Sequence, residues 1–580
     1  MAGNAAGAFG LLSIGGVEYA YVPNGSYLED PNPLVNPDVT QPVIPGVTYT
    51  GVSVVPLSTT GVKTQINTPQ AVNSCAGNQN TGIVVCTSNQ NDIYIINSAT
   101  NTITATLTSA GNPNFPFYSS GGACVTCGVS VNAADNTAII GVSADPSVNP
   151  GMSGYQVLNL ANNTLSPVFY ATGNHIAEAW SVDTDRNLLV SATENIGPLQ
   201  QDFSGNPVSG IGPWDLTQPP DLELFDLSVS SPSQQNFSPA SSLLDPDAEM
   251  DSAVQDSTGA TVATEEFTGN LLLTDLSQRT GTAGSPGSWN SPSSVQNLPE
   301  LGPVNMSQFW LPTGPAPSFF TSGATAISIA TGTHYGFIED EFGSGAIGAF
   351  VLPSSSTAGS APQVLDYVLA ALPNDPVTQA PWENSFDPHG LAAAYATIGS
   401  GNAYGILMNT TYNVTTALSE ASPSGTSSLP YSRTSIAVVS LPGLIAAPRV
   451  SGCTQNTVPI ASITESGSTV TVTTASPHGF SPGQVVTIGD LFDGWVVDPL
   501  GSLGYNGTFT ITSVPDAGTT DVTFTYTAPV TGLGDAINGT GLFAGADATS
   551  SVCTPDFSGH FVDPSYDLVA NGVVRFFSVH

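Results

Sequence analysis

The residues best able to do chemistry are a scattered set of imidazoles, carboxylates and thiols. His175 with Glu178, Asp247 with Glu249 and Asp251, Asp387 with His389, and His560 would hold a divalent cation if brought to one place. Their oxygen donors would favour calcium and their imidazoles a transition metal. A cation so held could polarise a substrate while a His or a carboxylate served as base. Asp183-Thr-Asp185-Arg-Asn187 and Asp245-Pro-Asp247-Ala-Glu249-Met-Asp251 carry carboxylates at alternate positions, a spacing that a turn can wrap around calcium. Neither has the glycine and glutamate of an EF-hand loop, and for the first an ordinary β-turn is the simpler expectation.

The thiols narrow the possibilities further. Cys124-Val-Thr-Cys127 is followed by Gly128, not His, so covalent haem is excluded. A redox dithiol would want a thioredoxin-like βαβ setting, and a Cys₄ zinc site would need a second such pair. The six cysteines fall instead into Cys75 with Cys86, Cys124 with Cys127, and Cys453 with Cys553, an even count that reads as disulfides outside a reducing cytosol. Connectivity among the first four stays open. No GxSxG elbow, Walker loop, dinucleotide fingerprint or HExxH is present, so neither a nucleotide cofactor nor the common hydrolase chemistries are signalled.

Charge excludes whole classes of partner. Among 580 residues, 6 Lys+Arg stand against 44 Asp+Glu, giving 6 − 44 = −38, yet only 9% of residues are charged and the mean hydropathy is +0.11. The acidity therefore comes from missing bases. With Lys63, Arg186, Arg279, Arg433, Arg449 and Arg575 as the only ones, no basic face exists to contact nucleic acid or an anionic membrane. No run approaches the roughly 20 apolar residues that span a bilayer, so membrane insertion is not expected. Met1-Ala-Gly-Asn lacks the charged start of a signal peptide, and we expect a leader to be removed or absent from an extracellular or cell-surface chain. A chain with few bases also avoids the positive self-repulsion that drives acid unfolding, which suggests exposure to acid.

The elements that must position these groups are β-strands. Short segments rich in Val, Ile, Thr and Tyr alternate with Gly, Pro, Asn, Asp and Ser, and the one helical candidate is 362–372, with Val364, Leu365, Val368 and Leu369. Residues 83–113, IVVCTSNQNDIYIINSATNTITATLTSAGNP, run strand, turn, strand, Ala99-Thr100-Asn101-Thr102, strand, then Gly111-Asn112-Pro113. This resembles the YVTN family of β-propeller repeats, and GVSVNAADNTAII at 128–140 with YQVLNLANNTL at 155–165 repeats the unit in register. The resemblance covers about 60–170 and implies a propeller of the lactonase-like or surface-layer kind. Strand pairs at 188–193 with 222–227, 260–266 with 270–275, 336–342 with 346–352 and 403–408 with 434–441 continue the series. Pairs at 19–24 with 52–57 and 566–571 with 573–579 flank it. The expected fold is thus all-β, a propeller of seven or eight blades, with eight slightly preferred.

Residues 459–549 break the pattern with strict period-2 alternation and no such repeat. They resemble a small β-sandwich module of bacterial surface proteins, carried by His478-Gly479-Phe480, Val485–Ile488, Tyr505–Phe509 and Thr523–Tyr526. The expected organisation is a propeller over 1–450, an insertion over 451–553 clamped by Cys453–Cys553, and closing strands over 554–580. The cation candidates would lie where loops lead into the innermost strands, at one mouth of the channel. In propellers a Pro-His-Gly turn such as Pro388-His389-Gly390 often opens a blade without binding anything. Trp180, Trp214, Trp289, Trp310, Trp382 and Trp495 could stack on sugars or anchor a partner, or simply pack loops onto blades. Two readings follow. One is a surface propeller binding a cell-surface polymer, a protein or copies of itself; the other is a cation-dependent hydrolase.

Overall fold

The structure is a computed structural model. It describes residues 10–23, 51–57, 64–69, 72–88, 92–108, 128–142, 154–170, 175–195, 200–201, 207–208, 222–228, 234–237, 250–255, 260–265, 270–276, 279–282, 285–289, 294–297, 322–330, 333–340, 346–352, 364–373, 391–396, 403–411, 433–450, 457–489, 507–528, 536–537, 543–546, 561–563 and 565–578. Among these the chain forms seven antiparallel sheets, each built on four strands joined in order or nearly so. The first holds Gly10–Ile14, Val17–Pro23, Val52–Pro56 and Thr64–Ile66. The second holds Val72–Asn78, Ile83–Ser88, Ile93–Asn97 and Thr102–Leu107. The third to seventh begin at Gly128–Asn132, His175–Asp183, Met250–Gln255, Ser322–Ala330 and Leu391–Ala396. Each first strand lies against the first strand of the next sheet, and the seventh lies against the first, so the sheets form a closed β-propeller ring.

Every strand pair expected between residues 19 and 441 forms. Two other expectations are overturned. Residues Asp366–Ala371 are not helical: they pair antiparallel with Ala346–Val351 as the outer strand of the sixth sheet's meander. The apolar spacing fits a helix, but Val368, Leu369 and Ala370 are buried in succession because neighbours cover both faces of the strand, while Leu365 is left 65% exposed. Residues 566–571 form turns, with Asp567 Oδ1 accepting from the N–H groups of Val569 and Ala570. Val574–Ser578 then joins Arg433–Ser440 as the fourth strand of the seventh sheet. The supposed eighth core is therefore the end of the seventh, and the first and last described strands, Gly10–Ile14 and Val574–Ser578, belong to neighbouring sheets. A single helical turn, Leu441–Ile445, follows that sheet's third strand. Ser440 caps it by accepting from Gly443 N–H.

Packing between sheets relies on rings laid over glycines. Trp180 of the fourth sheet lies on Gly141 and Gly128, which face each other across strands of the third; a Cβ on Gly141 would meet the indole at 2.2 Å. Phe337 of the sixth sheet covers Gly405 of the seventh in the same way, at 2.5 Å. Trp180 is 2% exposed, so its indole fills the joint between two sheets and is not presented for stacking on a sugar.

The insertion's strands close into a barrel of two sheets that share Thr457–Ser466 and Gly507–Ser513. From Thr457–Ser466 the pairings pass through Thr469–Thr474, Thr523–Thr527, Gly507–Ser513, Val485–Gly489 and Phe543–Ala546, then back to Thr457–Ser466. The alternating residues that suggested a sandwich, Val470, Val472, Ile511, Phe524 and Tyr526 among them, fill the interior. A two-residue ladder of Arg449–Val450 with Phe561–Val562 forms the insertion's stem and extends the outer edge of the sixth sheet. Arg449 grips Asp366 of that edge with both guanidinium nitrogens, at 2.8 and 2.7 Å. Cys453 and Cys553, the expected clamp, lie outside the described residues.

Candidate functional site

A four-strand meander returns the chain to the same end of the ring before each new sheet begins. All seven first strands therefore start at one end, and the turns between first and second strands lie at the other. The cation candidates distribute accordingly, on the backbone. His175 is the first residue of the fourth sheet's first strand, with Asn195 opposite. Glu178 is the extra residue where that strand's register shifts between Ala177 and Ala179, and Asp251 occupies the same kind of bulge between Met250 and Ser252 in the fifth sheet. Bulges bend a strand and re-aim its side chains. Asp247 and Glu249 immediately precede Met250, Asp387 and His389 precede Leu391, and Cys124 with Cys127 precede Gly128; all of these lie outside the described residues. His560 does too. Among the described residues no group of three or more His, Cys, Asp or Glu side chains is placed to hold a metal.

At the opposite end, three successive sheets share a motif that sequence reading recognised in only one place. Asn78, Asn132 and Asp183 end the first strands of the second, third and fourth sheets. Each Oδ1 accepts from the backbone N–H groups two and three residues on, at 3.0 to 3.3 Å. The residue four positions on, Gly82, Asn136 or Asn187, takes a left-handed conformation, with φ of 68°, 54° and 54°, which suits Gly and Asn. Asp183-Thr-Asp185-Arg-Asn187 is thus the ordinary β-turn expected, with Arg186 Nη1 on Asp183 Oδ2 at 2.9 Å.

These turns also stitch one sheet to the next. Asn78 Nδ2 donates to Asn136 Oδ1 at 3.0 Å, and Asn132 Nδ2 donates to Asn187 Oδ1 at 2.8 Å. Asn80 Nδ2 reaches Ala133 O, and Gln79 exchanges two bonds with the backbone of Ser13. Tyr21 O–H donates to Asn101 Oδ1 at 2.8 Å, and burial pushes its phenol up to about 12. Three successive joints, from the first sheet to the fourth, are bonded at this end. The spacing Asn/Asp-x-x-x-Asn/Gly at the ends of the first strands of the second, third and fourth sheets was the available signal.

Asp183 is the exception within the motif. Its side chain is 1% exposed, and burial raises its carboxyl above the usual range even though the Arg186 guanidinium pulls the other way. It keeps both turn bonds of Asn78 and Asn132 but, when ionised, has no N–H to donate to a neighbour. Of the thiols, Cys75 and Cys86 face each other across the first two strands of the second sheet and are joined, with Cα atoms 4.1 Å apart.

No family model matches the chain, and no curated protein matches it. Solved structures similar in part include hydrazine synthase of Kuenenia stuttgartiensis, at 9% identity over 53% of this chain and 71% of that one, with a TM-score of 0.33. The β-propeller domain of Cps50 (Swd1) from Myceliophteria thermophila gives 8% identity, 72% and 96% coverage, and a TM-score of 0.38. KlAtg21, in complex with the coiled coil of AgAtg16, gives 10%, 62%, 83% and 0.35. Likenesses of this size say nothing about activity.

Proposed function

We propose that this chain is an extracellular or cell-surface β-propeller that works as a binding scaffold for a surface polymer, a protein or further copies of itself, in an acidic setting. The observation that carries the reading is the division of the ring into two ends. At one end the first four sheets are tied to one another by Asn78–Asn136, Asn132–Asn187 and the Gln79–Ser13 exchange, which holds their strands in fixed positions. The other end gathers the starts of all seven first strands, so whatever those segments carry is displayed from a rigid frame. The scarcity of bases supports the acidic setting, and so does the buried carboxyl of Asp183, which is at ease when neutral. The test is co-sedimentation of the purified chain with isolated cell envelopes, alongside sedimentation equilibrium of the chain alone, at acid and neutral pH. Saturable binding or concentration-dependent association supports the reading; a monomer that binds nothing at either pH overturns it.

A second reading has its own observation. Glu178 and Asp251 are bulged residues near the starts of neighbouring first strands, and His175 starts one of those strands. A cation gathered at that mouth would make the chain a lactonase-like hydrolase. Hydrolysis of lactones that chelator abolishes and calcium or a transition metal restores would favour it over the scaffold.

A further inference from the structure

The disulfide of the second sheet lies where no reagent can reach it. Cys75 and Cys86 are both fully buried, in a core shared by Leu12, Tyr21, Val52 and Val54 of the first sheet with Val84, Tyr94 and Ile96 of the second. The two sheets touch without a gap beside it. A Cβ on Gly77, two residues from Cys75, would meet Leu11 O at 2.4 Å, and one on Gly10 would meet the Val84 side chain at 2.8 Å. Thiol–disulfide exchange needs a thiolate to approach one sulfur along the line of the bond being broken. Packed side chains occupy the space around both sulfurs. In the reduced chain the same burial would keep both thiols out of reach of an oxidant.

We propose that the Cys75–Cys86 bond is made while the chain folds and is sealed once the first sheet packs on the second, so that the compartment of folding, not of residence, fixes its redox state. Making the bond takes two electrons and two protons from the pair. One cysteine thiolate attacks the disulfide of a small-molecule or enzymatic oxidant and expels half of it as a thiol. The other then attacks the mixed disulfide and expels the second half. Both steps require sulfurs in contact with solvent, and the ring offers that only before closure or after opening. The proposal holds whatever the chain's final location.

The test uses the full chain with excess dithiothreitol, acid quenching, alkylation and peptide-resolved mass spectrometry, which separates Cys75 and Cys86 from the other four cysteines. In the native chain their reduction is expected to be at least about 1,000-fold slower than in denaturing urea, and to accelerate with urea in step with unfolding. Reduction of the native chain within about tenfold of the unfolded rate would overturn the proposal. In a second arm, chain folded in reductant and then given oxidised glutathione should keep both thiols while native; rapid pairing there would equally overturn it. Should the reduced chain not fold, the first arm decides alone.

Discussion

Replacing Asn132 by Ala tests the stitched end of the ring at its best-defined joint. Asn132 is fully buried, its Oδ1 accepts from Ala134 and Asp135 N–H, and its Nδ2 donates to Asn187 Oδ1. At about 1 kcal/mol net for each bond, with the two turn donors left to find water, the loss should be about 2–4 kcal/mol. Asn187→Gly removes the acceptor without disturbing the left-handed backbone that Asn187 adopts at φ 54°. A double-mutant cycle on the two positions should return a coupling of about 0.5–1.5 kcal/mol. Urea unfolding followed by tryptophan fluorescence is a suitable assay, because Trp180 lies in the same joint against Gly128 and Gly141. If Asn132→Ala lies within about 0.5 kcal/mol of wild type, or the coupling is zero, the stitched end is not what holds the third and fourth sheets together.

Gly141→Val should cost about 3 kcal/mol or more, since even a Cβ meets the Trp180 indole at 2.2 Å; thermal melting should show Trp180→Ala relieving part of that cost in the double variant. Asp183→Asn should stabilise the chain at neutral pH and lose that advantage in acid. The folded carboxyl is raised, so its contribution is fully present below the unfolded carboxylate pKa, about 4, and fades as pH rises through the folded value. Paired urea melts at acid and neutral pH read that difference, and an equal effect at both would refute it. Asp516 runs the other way: bonds from Thr520, Val522 and Thr523 hold its carboxyl down at about 2. Its support for the barrel's loop is present above the unfolded carboxylate range and lost only as pH falls through that value, which Asp516 carboxyl chemical shifts would follow. Arg449→Lys should lose the two-pronged grip on Asp366 and leave global stability within about 1 kcal/mol, because both side chains are partly solvated; thermolysin cleavage at the insertion's stem should quicken.

The middle strands of the sheets were legible because they repeat as apolar runs between turn residues, from Tyr19–Pro23 with Val52–Pro56 to Tyr404–Thr411 with Arg433–Ser440. The first strands were harder to see. Gly128–Asn132 and Leu391–Ala396 are short, small-sided segments whose place is set by neighbouring sheets. The helical spacing around Val368 misled because a strand covered on both faces buries consecutive residues and so loses its period of two. Period-2 alternation in the insertion identifies which side chains face inward but not which strands pass from one sheet to the other, as Thr457–Ser466 does by pairing its first residues with Phe543–Gly545 and the rest with Thr469–Thr474. The cation candidates were read as polar residues where loops enter the innermost strands, a reading that says nothing of the bulges at Glu178 and Asp251.

Elemental mass spectrometry on the full chain, dialysed exhaustively without chelator, tests the scaffold reading most directly. The account predicts no stoichiometric calcium or transition metal, and the same result for the His175→Ala/His389→Ala variant. A stoichiometric metal that this double variant loses would contradict it and place a cation, and with it a hydrolase, at the mouth where the first strands begin.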